Sequence, residues 1–144
     1  MRNKVAIVLP FFALTACAQV RSGPSGTATS SSQVEPLHIS PSEAYKRWKA
    51  EPEKVVILDV RTPQEYASGH IKGAQNLDFY GQFEQSIQKL PKSKIYYLHC
   101  ASGRRSGSAT EIMRKHGFTA YNMGGFGAVA QAGFPIESSQ PKSE

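Results

Sequence analysis

Two short apolar runs restrict what this chain can fold into. VVILDV at 55–60 and IYYLHC at 95–100 are nearly unbroken in β-branched, aromatic and leucine side chains, and each ends in a polar loop. A strand with one face in water alternates apolar and polar residues. A strand that is apolar throughout needs cover on both faces, which helices packed on a parallel sheet provide. The flanking segments can supply those helices. Ser40-Pro41-Ser42-Glu43 has capping-box spacing with proline in the first helical position, and Ala44, Tyr45 and Trp48 share a face behind it. Thr62-Pro63-Gln64-Glu65 repeats the signal for a short helix ending near Gly69. A brief strand over 74–77 precedes a helix carrying Phe83, Ile87 and Leu90. Ser106 to His116 aligns Ala109, Ile112, Met113 and His116, with Gly117 suited to the left-handed position that ends a helix. A strand near 120–123 and a short helix through 128–133 complete the series. This alternation predicts an α/β fold: a single domain with a mostly parallel central sheet and helices on both faces. Ligands of such sheets bind beyond the carboxyl ends of the strands, so Asp59-Val60-Arg61 and Cys100 are expected at one end of the sheet.

The chain's 144 residues, 40% of them hydrophobic, have material for one core and not two. Of the formal net charge of +6, Arg2 and Lys4 lie in the first sixteen residues, leaving +4. The remaining Lys and Arg are scattered over 46–49, 89–94 and 104–115 rather than forming one tract. That argues against nucleic-acid binding and for a solvated surface with some bias toward small anions. VAIVLPFFALT, which follows Arg2 and Lys4, is too short for the about 20 residues of a membrane span but suits the core of a secretory signal. Leu14-Thr15-Ala16-Cys17 then resembles the bacterial lipobox; the alternative is an ordinary cleavage site with an incidental cysteine. The resemblance implies a signal peptide over 1–16 and lipidation of Cys17, whose several acyl chains would anchor the protein stably to a membrane. It also implies a place in the bacterial cell envelope. Ala18 rather than aspartate after the cysteine favours the periplasmic face of the outer membrane. Residues 17–36 are then the lipidated cysteine and a flexible Ser/Gly/Thr tether with a reach of roughly 24 Å. The folded domain is expected over 37–136, and 137–144 reads as a frayed polar tail.

The second apolar run ends in HCASGRRSG, 99–107. A cysteine that merely fills space belongs inside an apolar stretch, whereas Cys100 is followed by a glycine, two arginines and several small polar residues. The loop Cys100-Ala101-Ser102-Gly103-Arg104-Arg105 runs into a helix expected near Ser106, so unpaired N–H groups and a positive dipole end can converge on the sulfur. Lowering a thiol from its ordinary pKa near 8.5 to about 6.5 requires about 2.7 kcal/mol. A helix terminus supplies typically 0.3–1 kcal/mol, at most about 2. Loop N–H groups and arginine must contribute the rest. With Cys17 lipidated, Cys100 has no intramolecular partner, and a lone thiol in a cationic loop, expected to be exposed, favours a reactive role.

Cys-x-x-Gly-x-Arg followed by serine, together with LDVRTPQEYASGHIKGAQNL at 58–77, resembles the two signatures of the rhodanese sulfurtransferase family, most closely its single-domain secreted thiosulfate sulfurtransferases. The resemblance spans roughly residues 37–136 and implies double displacement. Thiolate Cys100 takes the outer sulfur of thiosulfate or another small anionic donor, releases sulfite, and passes the sulfur to cyanide or a thiol. No cofactor is implied. Arg105, the family-matching arginine, is expected to hold the donor's oxygens with its planar fork. Arg104 has site and surface roles in equal balance, and Ala101, Ser102 and Gly103 supply the backbone cradle. Ser102 and Ser106 can offer hydroxyls, though loop serines more often cap or meet solvent. Asp59 and Arg61 have a supporting catalytic role as one option and a loop-bracing ion pair as the favoured one. Glu65 and His70 are expected to organise the GHIKGA loop. His99, one residue before the nucleophile, should face away from the thiol. No His or Cys cluster has metal-ligand spacing, so no metal is expected.

Two competitors remain on the sequence alone. A cysteine phosphatase or arsenate reductase has five residues between cysteine and arginine, but here Arg105 arrives one place early, narrowing the cradle to favour a single sulfur. A persulfide carrier or docking module without thiosulfate turnover would use the same Cys100 loop.

Overall fold

The computed structural model describes residues 36–139. The expected signal, Cys17, all of the tether but Pro36, and the tail past Ser139 lie outside the described residues. Among the described residues, six strands and five helices follow in chain order: α1 (Pro41–Ala50), β1 (Val55–Asp59), α2 (Pro63–Ser68), β2 (His70–Ile71), β3 (Gln75–Asn76), α3 (Phe83–Ile87), β4 (Ile95–Cys100), α4 (Arg104–Lys115), β5 (Thr119–Gly125), α5 (Phe126–Gln131) and β6 (Ile136–Glu137). Four strands form a parallel sheet in the order β3-β1-β4-β5, with the two apolar runs, β1 and β4, at its centre. Their register, Val55 opposite Ile95 through Asp59 opposite His99, brings both carboxyl ends to the same edge.

Alternation along the strands divides the core. Leu58 and Val60 of the β1 segment and Tyr96, Leu98 and Cys100 of β4 pack with Phe83, Ile87, Ala109 and Met113, on the face covered by α3 and α4. Val55, Ile57 and Tyr97 point the other way, into a cluster with Ala44 of α1 and Val129 of α5. Both central strands are therefore covered twice, as their composition requires.

Helix starts follow their capping chemistry. The Ser40 hydroxyl accepts the Glu43 N–H at 3.2 Å, and at α2 Thr62 and Glu65 complete a reciprocal capping box. Two helices begin two residues earlier than expected: α4 at Arg104 instead of Ser106, and α5 at Phe126 instead of Ala128. Gly103, at φ 93°, makes the turn that lets Arg104 enter the helix at once. The helix of Phe83 and Ile87 stops at Ile87, and Leu90 lies in the following turn. The tail is ordered further than expected. Glu137 pairs with His70 across an antiparallel β2–β6 ribbon, and the Ser139 N–H donates to the Ala67 carbonyl at 3.0 Å. A two-residue strand has no apolar pattern by which the sequence could announce it.

Candidate active site

Cys100 ends β4 and turns into the α4 face, where it is completely buried rather than exposed as expected. The Gly103 N–H donates to Sγ at 3.0 Å, and the Ser106 hydroxyl lies 3.5 Å away. Burial pushes the thiol up, but the Ser106 hydroxyl and the backbone N–H groups of Ser106, Ser102 and Gly103 outweigh it, so the pKa falls below its ordinary value. The arrangement is a nest of donors around one sulfur atom at the start of a helix.

The loop keeps this shape because it is stapled to β5. The Asn122 side chain donates to the Gly103 carbonyl at 3.0 Å, while its Oδ1 accepts the Ser106 hydroxyl at 2.7 Å and the Gly124 N–H at 2.9 Å. Backbone also meets backbone. A Cβ on Gly103 would lie 3.1 Å from Gly124 Cα, and one on Gly125 only 2.8 Å from the Ala101 carbonyl oxygen. A bulge after Leu98 lets β5 pass Met123 and set Gly124 opposite His99 and Gly125 opposite Cys100. Sequence reasoning missed Asn122, Gly124 and Gly125. The available signals were an amide inside an otherwise apolar strand and a glycine pair at its carboxyl end.

The two arginines differ in their partners. Arg105 gives its fork to Glu65, with Nη1 to Oε2 at 2.8 Å and Nη2 to Oε1 at 2.9 Å, so these donors are not directed at the cysteine. Arg105 brings Glu65 down to a pKa of about 2, with the Thr62 N–H and hydroxyl helping against the cost of burial. The family-matching arginine thus clamps α2 to α4 while its charge remains within electrostatic reach of Cys100. Arg104, the first residue of α4, is exposed, and its side chain has no ion pair or hydrogen-bond partner among the described residues. Ala101 and Ser102 are exposed at the loop tip.

Asp59 and Arg61 share the sheet end with Cys100 but occupy the opposite face. Asp59 accepts from Arg61 Nε at 2.9 Å and Nη2 at 2.6 Å, and Nη2 also reaches the Gly69 carbonyl at 2.6 Å. The guanidinium lies 4.1 Å from the Phe126 ring centroid. His99 stacks on the same ring at 5.7 Å, facing away from the thiol, and neither ring nitrogen has a hydrogen-bond partner among the described residues. Its burial lowers its pKa to about 4, so it is neutral at pH 7. His70 is bound to its own loop through the Tyr66 carbonyl at 2.9 Å. These groups brace the loops around the nucleophile, and none of them hydrogen-bonds to it.

A buried cysteine in a helix-start cradle, at the carboxyl end of a parallel sheet in the order β3-β1-β4-β5, defines an α/β domain that holds one thiol in a nest of donors. Residues 40–132 match the family model "Rhodanese-like domain", and the chain belongs to that family. It is 36% identical over 97 residues to the uncharacterized protein YqhL of Bacillus subtilis, covering 66% of this chain and 76% of that one. It is 35% identical over 75 residues to the thiosulfate sulfurtransferase PspE of Escherichia coli, covering 51% and 72%. The crystal structure of a rhodanese-like domain protein from Staphylococcus aureus matches with a TM-score of 0.60 and 33% identity, over 72% of this chain and all of that one.

Proposed function

We propose that the protein is a sulfurtransferase that carries a sulfane sulfur on Cys100. The ionised Sγ attacks the outer sulfur of thiosulfate; the Sγ–S bond forms, the sulfur–sulfur bond of the donor breaks, and sulfite leaves with that electron pair. An acceptor then attacks the outer sulfur of the persulfide and Cys100 departs as thiolate, with cyanide giving thiocyanate and a thiol giving an organic persulfide. The observation that carries this reading is the convergence of Gly103, Ser102 and Ser106 donors on one buried sulfur. That cradle stabilises the thiolate as nucleophile and again as leaving group. Arg104 supplies the unpaired positive charge that draws an anionic donor to the loop. A phosphatase would need a guanidinium over its cradle, and the Arg105 fork is directed to Glu65 instead.

Thiocyanate formation from thiosulfate and cyanide tests the proposal, with Cys100→Ser as the inactive control. A Cys100 persulfide that forms but never turns over would make the protein a carrier. We also propose, from the sequence of residues 1–18, that the domain is lipid-anchored through Cys17 in a bacterial envelope. Incorporation of labelled palmitate that disappears in Cys17→Ser supports this; equal incorporation in the variant refutes it.

A further inference from the structure

The segment after β3 stays at the carboxyl edge of the sheet, with the Leu77 N–H bound to the Asp59 carbonyl at 2.9 Å and the Phe79 N–H to the Val60 carbonyl at 3.2 Å. It ends in Tyr80, which is 73% exposed although aromatic. The Tyr80 backbone N–H donates to Asp78 Oδ1 at 3.0 Å, the ring stands edge-to-face on Phe79 at 5.7 Å, and Phe79 packs in turn on buried Phe83. The Arg105 guanidinium lies 5.7 Å from the ring centroid. An outward-facing aromatic surface thus lies beside the guanidinium of the last residue of the cysteine loop, and the uncommitted cation Arg104 directly precedes that residue on α4.

We propose that Tyr80 is an acceptor-selecting residue: its ring receives the body of an organic thiol bearing a carboxylate, which it favours over cyanide. The inference rests on the sulfur-transfer reading and deepens it. Cyanide is too small to reach the sulfur and the ring together. A thiol with peptide-like planes can lay one across the tyrosine while its carboxylate meets Arg104, and so holds its sulfur in line with the persulfide. In the transfer the thiolate attacks the outer sulfur of Cys100–S–SH, the Sγ–S bond breaks, Cys100 leaves as thiolate, and the product is the organic persulfide RS–SH.

Glutathione is the probe, and the readout is the ratio of kcat/KM for glutathione to that for cyanide, both with thiosulfate as donor. Tyr80→Ala is expected to lower this ratio by about 5- to 10-fold, mainly through KM for glutathione, and Tyr80→Phe to preserve it. S-methylglutathione, which has no thiol, should compete with glutathione in the wild type and several-fold more weakly in Tyr80→Ala. General damage to the fold would depress both acceptors together and leave the ratio in place. Normal thiocyanate production with a ratio within twofold of wild type in Tyr80→Ala overturns the inference alone. No thiocyanate from the wild-type protein overturns the sulfur-transfer reading and the inference with it.

Discussion

Replacing Glu65 with glutamine keeps the shape of the clamp between α2 and α4 and removes its charge. The amide oxygen of the replacement can still accept the Thr62 N–H, which lies 3.0 Å from Glu65 Oε2 in the wild type, so the capping box is weakened rather than deleted. The doubly bonded ion pair with Arg105 is lost. Holding the carboxyl at about 2 instead of 4.5 corresponds to about 3.4 kcal/mol at about 1.36 kcal/mol per pH unit. The Glu65 side chain is 35% exposed and its partner 16%, so solvent screening reduces this to about 1–2 kcal/mol. The sign follows from the depressed folded-state pKa. The stabilisation is complete above the unfolded carboxyl value near 4.3 and disappears as pH falls toward 2. Urea unfolding of wild type and Glu65→Gln at a series of pH values measures the difference directly. The two proteins should differ by about 1–2 kcal/mol at pH 7 and converge as the pH falls from about 4.5 to about 2. A gap that is absent at pH 7, or that persists unchanged at about pH 2, would refute the clamp.

Other consequences concern the cradle and its supports. Because the Cys100 pKa is lowered, its alkylation by iodoacetamide should rise with pH to a plateau whose midpoint lies below that of an unperturbed thiol measured alongside it. Ser106→Ala should move that midpoint up by less than about one pH unit, the worth of one hydrogen bond; an unmoved midpoint removes the Ser106 hydroxyl, though not its backbone N–H, from the cradle. Gly125→Ala drives a Cβ to 2.8 Å from the Ala101 carbonyl and should cost about 1–3 kcal/mol in urea unfolding, together with slower sulfur loading. Gly127→Ala, inside α5 with nothing within 4 Å, should be neutral or mildly stabilising, and equal behaviour of the two variants contradicts the close-approach argument. Asp59→Asn leaves Arg61 charged in a buried site and should cost about 3–5 kcal/mol. Its alkylation midpoint should stay near wild type, since the pair lies across the sheet from the thiol, and a large shift would assign Asp59 a part in the chemistry.

The legible features were those with strong local chemistry. VVILDV and IYYLHC could be stable only as doubly covered strands, and they are the two central strands of the sheet. The pattern of Ser40, Thr62 and Glu65 marked helix starts because capping is a contact between residues three apart. Alternation placed His99 opposite the thiol for the same kind of reason. What remained hidden depended on distance along the chain. Nothing near Arg105 indicates that its guanidinium pairs with Glu65, forty residues earlier, so the clamp between α2 and α4 is not legible in the sequence. Asn122 and the glycines after it matter only because the bulged β5 passes against the cysteine loop. Asp59 and Arg61 reach the same end of the sheet as Cys100, and only the pleat of β1 against β4 puts them on the other side.

The sulfur of Cys100 should be the atom that carries cargo. Intact-mass and peptide mass spectrometry after brief exposure of the purified protein to thiosulfate will show whether it is. The expected result is a gain of one sulfur atom on the peptide containing Cys100, removed by cyanide with release of thiocyanate and missing in Cys100→Ser. An unmodified Cys100, or a sulfur adduct that cyanide cannot discharge, would contradict the sulfur-transfer mechanism.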